Sequence, residues 1–314
     1  MTRFAAYIPV GPSVLDLPRV QDLLESLAVY EPSLELVLLF DHGPHCRDFS
    51  MFKSIHPRAN VIEVRTFSQE NNSTWLGSGV VANLTILDMI ARICDIEFVV
   101  KLDTDALVIA PFSDQLGKCF AGDQSISIAG TLGSSSNRDV RSLNNNQVTR
   151  IFVKTICAIG TMLAAGQPLD NLEIVRWNLF TNSQIDSFRK VSSEIDPLAT
   201  SEFTGDHCQG GAYAFSRSFV SRMKAAGYLD KPLRWQSVPL GEDKVMGMYS
   251  SLLGMKLRDF SGEGEPFGIQ DLGLPYSPDE LIARKHCIVH SLRRDPRYNE
   301  SSLREQFRFL RDRG

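Results

Sequence analysis

The chain has 314 residues, 43% of them hydrophobic and 22% charged, with a formal net charge of −4. This balance fits one large or two ordinary globular domains and excludes a global electrostatic pull toward nucleic acid. The six cysteines form no Cys-x-x-Cys pair and most sit among apolar residues, which favours a reduced, buried role over a disulfide framework, and no stretch nears the ~18 consecutive apolar residues of a helical membrane span.

Phe4 to Val10 reads as a first strand, closed by Pro9, Gly11 and Pro12, and not as a signal peptide. Pro18 to Tyr30 has apolar residues at helical spacing. Leu34 to Phe40 is a second apolar strand, ending at Asp41, and Val61 to Val64 a third. Gly79 to Cys94 has the buried stripe of a helix. His42 and His45 flank Gly43-Pro44, as an exposed turn or a metal pair. Trp75 is placed either to pack or to stack on a base or sugar.

Phe98 to Ile109 is an apolar run interrupted by Asp103-Thr104-Asp105 and bounded by Asp95 and Pro111. As one continuous strand it would turn Lys101, Asp103 and Asp105 to one face. Two carboxylates aimed together repel unless a cation lies between them or one is protonated. A hard divalent ion is one solution, and capping or turn roles for the acids are the other. Alternating strands and helices predict an α/β fold with a mostly parallel sheet and right-handed crossovers.

Ile126 to Ala129 reads as a further short strand. Gly130 to Gln147 is rich in Gly, Ser and Asn and reads as a mobile loop. Val148 to Ala165 and Leu172 to Val191 read as helices, so about 140–200 is expected to be an inserted helical subdomain, with Trp177 and Phe180 available for packing or for a partner. A strand is expected over 207–216 and a helix from Arg217 to Ala226. Pro239 to Asp243 leads into another helix, putting Glu242 and Asp243 at its N-terminus, where acids also complement the dipole. Cys287 to His290 reads as a short strand. His286, Cys287 and His290 lack the spacing of a four-ligand zinc site. From Ser291 to Gly314 there are seven Arg against two Asp and two Glu. This basic end, a helix over about 296–314, suits an anionic ligand or surface, or a solvated helix face.

Four motifs occur in order: Lys101-Leu102-Asp103-Thr104-Asp105, Gly210-Gly211-Ala212-Tyr213, Glu242-Asp243 and Val289-His290. Together they resemble the GT-A-fold glycosyltransferases, most closely the β-1,3-galactosyltransferase/Fringe-type family. The resemblance implies one catalytic domain with a nucleotide-sugar half over about 1–130 and an acceptor half over about 200–295. It implies a nucleotide-sugar donor, UDP-linked, a Mn²⁺ or Mg²⁺ ion, a glycan or glycolipid acceptor, and transfer with inversion. Asp105 and His290 would ligate the metal. Asp103 would contact the metal or the ribose. Asp243 would be the base. Pro9, Val10, Asp41, Lys101, Thr104, Gly210 and Gly211 would line the donor side, and Glu242 and Tyr213 the acceptor side. Thr104 departs from the family's middle acid, and Lys244 from the valine that usually follows the acidic pair. A cytoplasmic enzyme acting on a polysaccharide precursor, with peripheral membrane contact through its basic end, is the expected setting. Two alternatives use the same residues: a haloacid-dehalogenase-type phosphatase built on Asp103 and Asp105, and a non-catalytic nucleotide-sugar or glycan-binding protein.

Overall fold

The computed structural model describes residues 3–42, 47–64, 75–93, 95–133, 191, 205–238, 240–293 and 295–312. The expected loop beyond Gly133 and the expected helices of 148–191, apart from Val191, lie outside these residues.

Strands β1 (Phe4–Val10), β2 (Leu36–Asp41), β3 (Asn60–Val64), β4 (Phe98–Leu102), β6 (Ile126–Leu132), β7 (Cys208–Ser216) and β8 (Lys256–Asp259) form one sheet in the order β3-β2-β1-β4-β7-β6-β8. β7 runs antiparallel to both neighbours, and the other pairings are parallel. The architecture is therefore mixed α/β, with six strands running one way and one against them.

Both faces of this sheet are covered, which explains why its strands read as unbroken apolar runs. Along β1, Ala5 and Tyr7 turn to one face, where α2 (Trp75–Ala91), α4 (Arg217–Ala225) and α5 (Glu242–Leu252) lie. Phe4, Ala6, Ile8 and Val10 turn to the other, against α1 (Asp16–Tyr30) and α3 (Ser113–Gly122). Phe98 stacks on Phe4 at 5.0 Å between ring centres, tying β4 to β1 on that second face. Helix α2 begins at Trp75, one turn earlier than the apolar stripe suggests.

The run from Phe98 to Ile109 is not one strand. β4 stops at Leu102, and the Ala106 amide donates to the Asp103 carbonyl at 2.9 Å, closing a turn. Asp residues favour such turns over a ladder. The chain then enters β5 (Leu107–Val108), which belongs to a second sheet of order β5-β10-β9, with β9 at Phe267–Ile269 and β10 at Ile288–His290. β10 is antiparallel to β5 and parallel to β9. This small sheet carries His290 to the turn. Two further α-helices among the described residues are α6 (Pro278–Ala283) and α7 (Glu300–Arg311). Among the described residues no helix is long and apolar enough to cross a membrane.

Helix α5 fits closely against the chain entering β7. A Cβ on Gly247 would collide with the Asp206 carbonyl oxygen and reach 3.2 Å from His207 Cα. Replacing Gly247 with Ala should destabilise the protein by about 1–3 kcal/mol through overpacking, measurable as a lower urea midpoint at unchanged m-value.

Candidate active site

In open α/β sheets ligands settle outside the carboxyl ends of strands, where the strand order reverses. β1 and β4 provide such a point, because β1 connects onward to β2 on one side and pairs with β4 on the other. A cavity of about 320 Å³ opens there. Pro9, His42, Lys101, Asp103, Thr104, Asp105, Glu242 and Arg293 are among the residues that line it.

Lys101, only 2% exposed, projects from the end of β4. Its ammonium lies 2.7 Å from Asp103 Oδ1 and 2.9 Å from Glu242 Oε1, and also donates to the Gly210 carbonyl. The Tyr213 ring lies beneath it at 5.2 Å. Burial opposes the charge on Lys101, but Asp103 and Glu242 outweigh it and hold the ammonium above its ordinary pKa. The Asp103 carboxyl moves upward, first through burial and then through crowding by Glu242, against the attraction of Lys101.

Asp105 is 6% exposed and points away from Lys101. The Ser291 hydroxyl donates to its Oδ2 at 2.7 Å, His290 Nε2 is 3.2 Å from its Oδ1, and Arg293 Nε is 3.6 Å from Oδ2. Burial favours the neutral acid, but His290, Ser291 and Arg293 prevail and hold this carboxyl below the usual carboxylate range. Burial alone would lower the His290 imidazole, yet its contact with Asp105 raises it.

One ligand atom each from Asp103, Asp105 and His290 lies within 4.8 Å of the others. The tautomer of His290 is suited to ligation: Nδ1–H donates to the Gln270 carbonyl at 3.0 Å, and Nε2 faces the Asp105 carboxylate. Gly211 is needed for this approach, because a Cβ there would collide with the imidazole ring. Two carboxylate oxygens and one imidazole nitrogen fit a divalent ion of the Mg²⁺ or Mn²⁺ kind.

Glu242 and Asp243 open α5 on either side of Gly210, where a Cβ would stand 3.2 Å from Glu242 Oε1 and 3.7 Å from Asp243 Oδ2. Asp243 Oδ2 is 3.5 Å from both His207 Nε2 and Lys244 Nζ. Burial raises the Asp243 carboxyl, but His207 and then Lys244 reverse the effect, and the net shift is downward. His207 Nδ1 is 2.9 Å from the Gly205 carbonyl, which fixes the ring with Nε2 toward the acid.

Several expectations are corrected here. Tyr213, expected on the acceptor side, is 1% exposed; its hydroxyl accepts from Asn83 Nδ2 at 2.8 Å and its ring lies against the Lys101 ammonium. Asp41 pairs with Arg47, and the Val10 carbonyl accepts from the same guanidinium, so neither lines the cavity. Pro9 and Thr104 do line it. The basic C-terminal segment is largely paired within the chain. Arg304, Arg308 and Arg311 reach Asp22 at 2.9 to 3.4 Å, and Arg297 reaches Asp295 at 2.7 Å. Arg293, 41% exposed in its side chain, is the arginine of that segment found on the cavity wall. His286 Nδ1 donates to the Glu265 carbonyl at 2.9 Å and the ring stacks on Tyr276, a packing role.

Asp16 and Arg293 on the cavity lining and His207 beside Asp243 are residues that motif reading passes over, while His42, read as an exposed turn or half of a metal pair, lines the cavity instead. Asp16 opens a helix directly after β1, and that position is the one available signal for it. His42 stands next to Asp41 at the end of β2, its ring 4.7 Å from that of Phe40.

No family model matches this chain, and no curated protein matches it. Among solved structures it is similar to the bifunctional glycosyltransferase WbbM, at 11% identity and a TM-score of 0.46, over 92% of this chain and 45% of that one. It is similar to core-mannan synthase A (CmsA/Ktr4) from Aspergillus fumigatus in its Mn/GDP form, at 11% identity and 0.43, over 83% and 73%. It is also similar to the mannosyltransferase PcManGT from Pyrobaculum calidifontis in complex with GDP-Man and Mn²⁺, at 12% and 0.38, over 82% and 54%. The chain thus spans less than half the length of WbbM. Similarities of this size do not assign an activity; the side-chain geometry has to do so.

Burial pushes the His42 imidazole down from 6.5 to about 4. Between those values the unfolded chain takes up a proton that the folded chain refuses, so His42 makes stability fall as pH drops through this window. His42→Asn should flatten that part of the urea-unfolding pH profile by on the order of 1–3 kcal/mol relative to wild type.

Proposed function

We propose that this protein is a GT-A-type glycosyltransferase, which moves a sugar from a nucleoside-diphosphate sugar to a hydroxyl acceptor with the help of a divalent metal. The observation that carries the reading is the Asp103–Asp105–His290 cluster, whose two carboxylates line a strand-end cavity, with the Lys101–Glu242 pair beside it. The ordered motifs of the sequence support the same assignment.

A divalent cation held by Asp105, His290 and Asp103 would neutralise the diphosphate as it leaves. Arg293 offers a second positive group at the same wall, with planar donors suited to phosphate oxygens. Lys101 offsets one of the two negative charges of Asp103 and Glu242, so the site keeps a surplus negative charge for a cation. Pro9 and His42 contribute the apolar side of the cavity, and burial keeps the His42 ring neutral near pH 7.

Asp243 is the proposed base. Its lowered pKa keeps it ionised at neutral pH, ready to take the acceptor proton. The acceptor oxygen attacks the anomeric carbon as the bond from that carbon to the diphosphate oxygen breaks, and the proton passes to Asp243. One displacement of this kind inverts the anomeric centre. Glu242 has one oxygen on Lys101, which leaves the other for an acceptor hydroxyl.

The phosphatase alternative needs Asp105 as a proton donor. His290, Ser291 and Arg293 hold it ionised, which suits a ligand and not an acid. The binding-only alternative gives the ionised Asp243 no task, and turnover distinguishes it.

In a thermal-unfolding screen of UDP and GDP with and without Mn²⁺, the correct nucleotide at a hundred times its Kd should stabilise wild type by ~2.7 kcal/mol. Asp105→Asn should abolish the Mn²⁺-dependent part, and an unchanged response would remove the metal assignment. Asp243→Asn should lower kcat by roughly 10²- to 10⁴-fold with little change in the donor KM, while a retained anomeric configuration in the product would reject Asp243 as the base of a single displacement.

A further inference from the structure

The turn carrying Asp103 and Asp105 is held against α1 and α7 by a closed ring of polar contacts, two members of which, Asp16 and Thr104, also line the cavity. The Thr104 hydroxyl donates to Asp16 Oδ1 at 3.1 Å. The same Asp16 oxygen accepts from Arg19 Nη1 at 3.0 Å, and Arg19 Nη2 reaches Glu300 Oε2 at 2.5 Å. Glu300 Oε1 accepts from Arg304 Nε at 3.0 Å, and Arg304 Nη2 returns to the Thr104 carbonyl at 3.0 Å. Thr104 is thus gripped at both its side chain and its main chain. Arg304 is itself fixed by Asp22, with Nη1 2.9 Å from Oδ2. Thr104, Asp16, Arg19 and Arg304 are all 9% exposed or less, so water competes little for these bonds. On the far side of the turn, the Leu292 amide donates to the Asp105 carbonyl at 3.1 Å.

We propose that Thr104 and Arg304 are positioning residues for the metal site: the ring joining α1, α7 and the turn sets the separation of Asp103 and Asp105. This inference rests on the metal reading above. Its logic also accounts for the middle residue of the motif. The ring balances two carboxylates with two guanidiniums and needs a donor at position 104, because the atom facing it is a carboxylate oxygen already shared with Arg19. An acid at 104 would point charge at charge. Thr104 is therefore selected by Asp16, and the final helix, some two hundred residues along the chain, acts on the site through the Thr104 carbonyl.

The test measures Mn²⁺ affinity by calorimetry or Mn²⁺ paramagnetic resonance, alongside the Tm of each full-length variant. Thr104→Ser keeps the donor and should bind Mn²⁺ within about threefold of wild type, whereas Thr104→Val and Arg304→Gln should weaken it by about tenfold or more. Arg311→Gln is the control. Arg311 is buried on the same helix and pairs with Asp22 and Glu25 without touching the turn, so its loss should lower Tm and leave Mn²⁺ affinity in place. Thr104→Asp separates the ideas most sharply. Counting ligand charge predicts tighter Mn²⁺ binding, and the ring predicts weaker. Wild-type affinity in Thr104→Val and Arg304→Gln, tighter binding in Thr104→Asp, or losses that merely follow Tm in every variant including Arg311→Gln would overturn the proposal. If Arg304→Gln does not fold, Arg304→Lys and Thr104→Val decide. A wild type that binds no Mn²⁺ would instead overturn the metal reading itself, and this inference with it.

Discussion

The Lys101 ammonium is the charge on which the site depends. It lies at the end of a central strand, out of water, between Asp103 and Glu242, with the Gly210 carbonyl as a third acceptor and the Tyr213 ring below. An unpaired ammonium at this depth is untenable, and so is either carboxylate without it. Removing the lysine would leave two half-buried acids facing each other. The three strands of chain that supply the partners, the motif turn, β7 and the start of α5, are thereby drawn to one point. The rest of the cavity is built on that point: His290 approaches over Gly211, and Asp243 follows Glu242 around Gly210.

The two acids of the motif end in different environments despite being two residues apart. Asp103 shares Lys101 with Glu242 and moves toward protonation, while Asp105 faces an imidazole, a hydroxyl and a guanidinium and moves away from it. A turn makes this possible. On a continuous strand both would face the same neighbours and share one electrostatic fate. The break after Leu102 lets one acid look toward the large sheet and the other toward the small one.

The periodic parts of the fold are legible in the amino-acid order. The apolar runs at 4–10, 34–40, 61–64 and 207–216 and the amphipathic stretches after Pro18 and Arg217 become strands and helices close to where they are expected. The turn at Asp103 is misread because the residues on either side of it are strongly β-forming, and only the amide–carbonyl pairing across the turn separates them into two sheets. The three-stranded sheet is hidden for a related reason: its strands are two or three residues long, too short for any period. Asp103, Asp105, His290, Glu242 and Asp243 are found by residue type and order. Asp41 and Tyr213 are misplaced because position along a strand does not say which groups compete for a side chain; Arg47 takes the first and Asn83 the second. The arginines of the last helix look like a free cationic face until Asp22 and Glu25, near the other end of the chain, are seen opposite them.

The small sheet has a consequence for how the protein comes into being. β5 leaves the motif turn, but its partner β10 is synthesised some 180 residues later, and β10 carries His290. A nascent or truncated chain can lay down β1 to β4 and display both aspartates without possessing the third ligand. Closure of this long loop must precede the reward of pairing, so it belongs among the later events of folding. His290 then reaches the two aspartates only in chains where β10 has met β5, and under the proposed metal reading an affinity for divalent metal would distinguish finished molecules from incomplete ones.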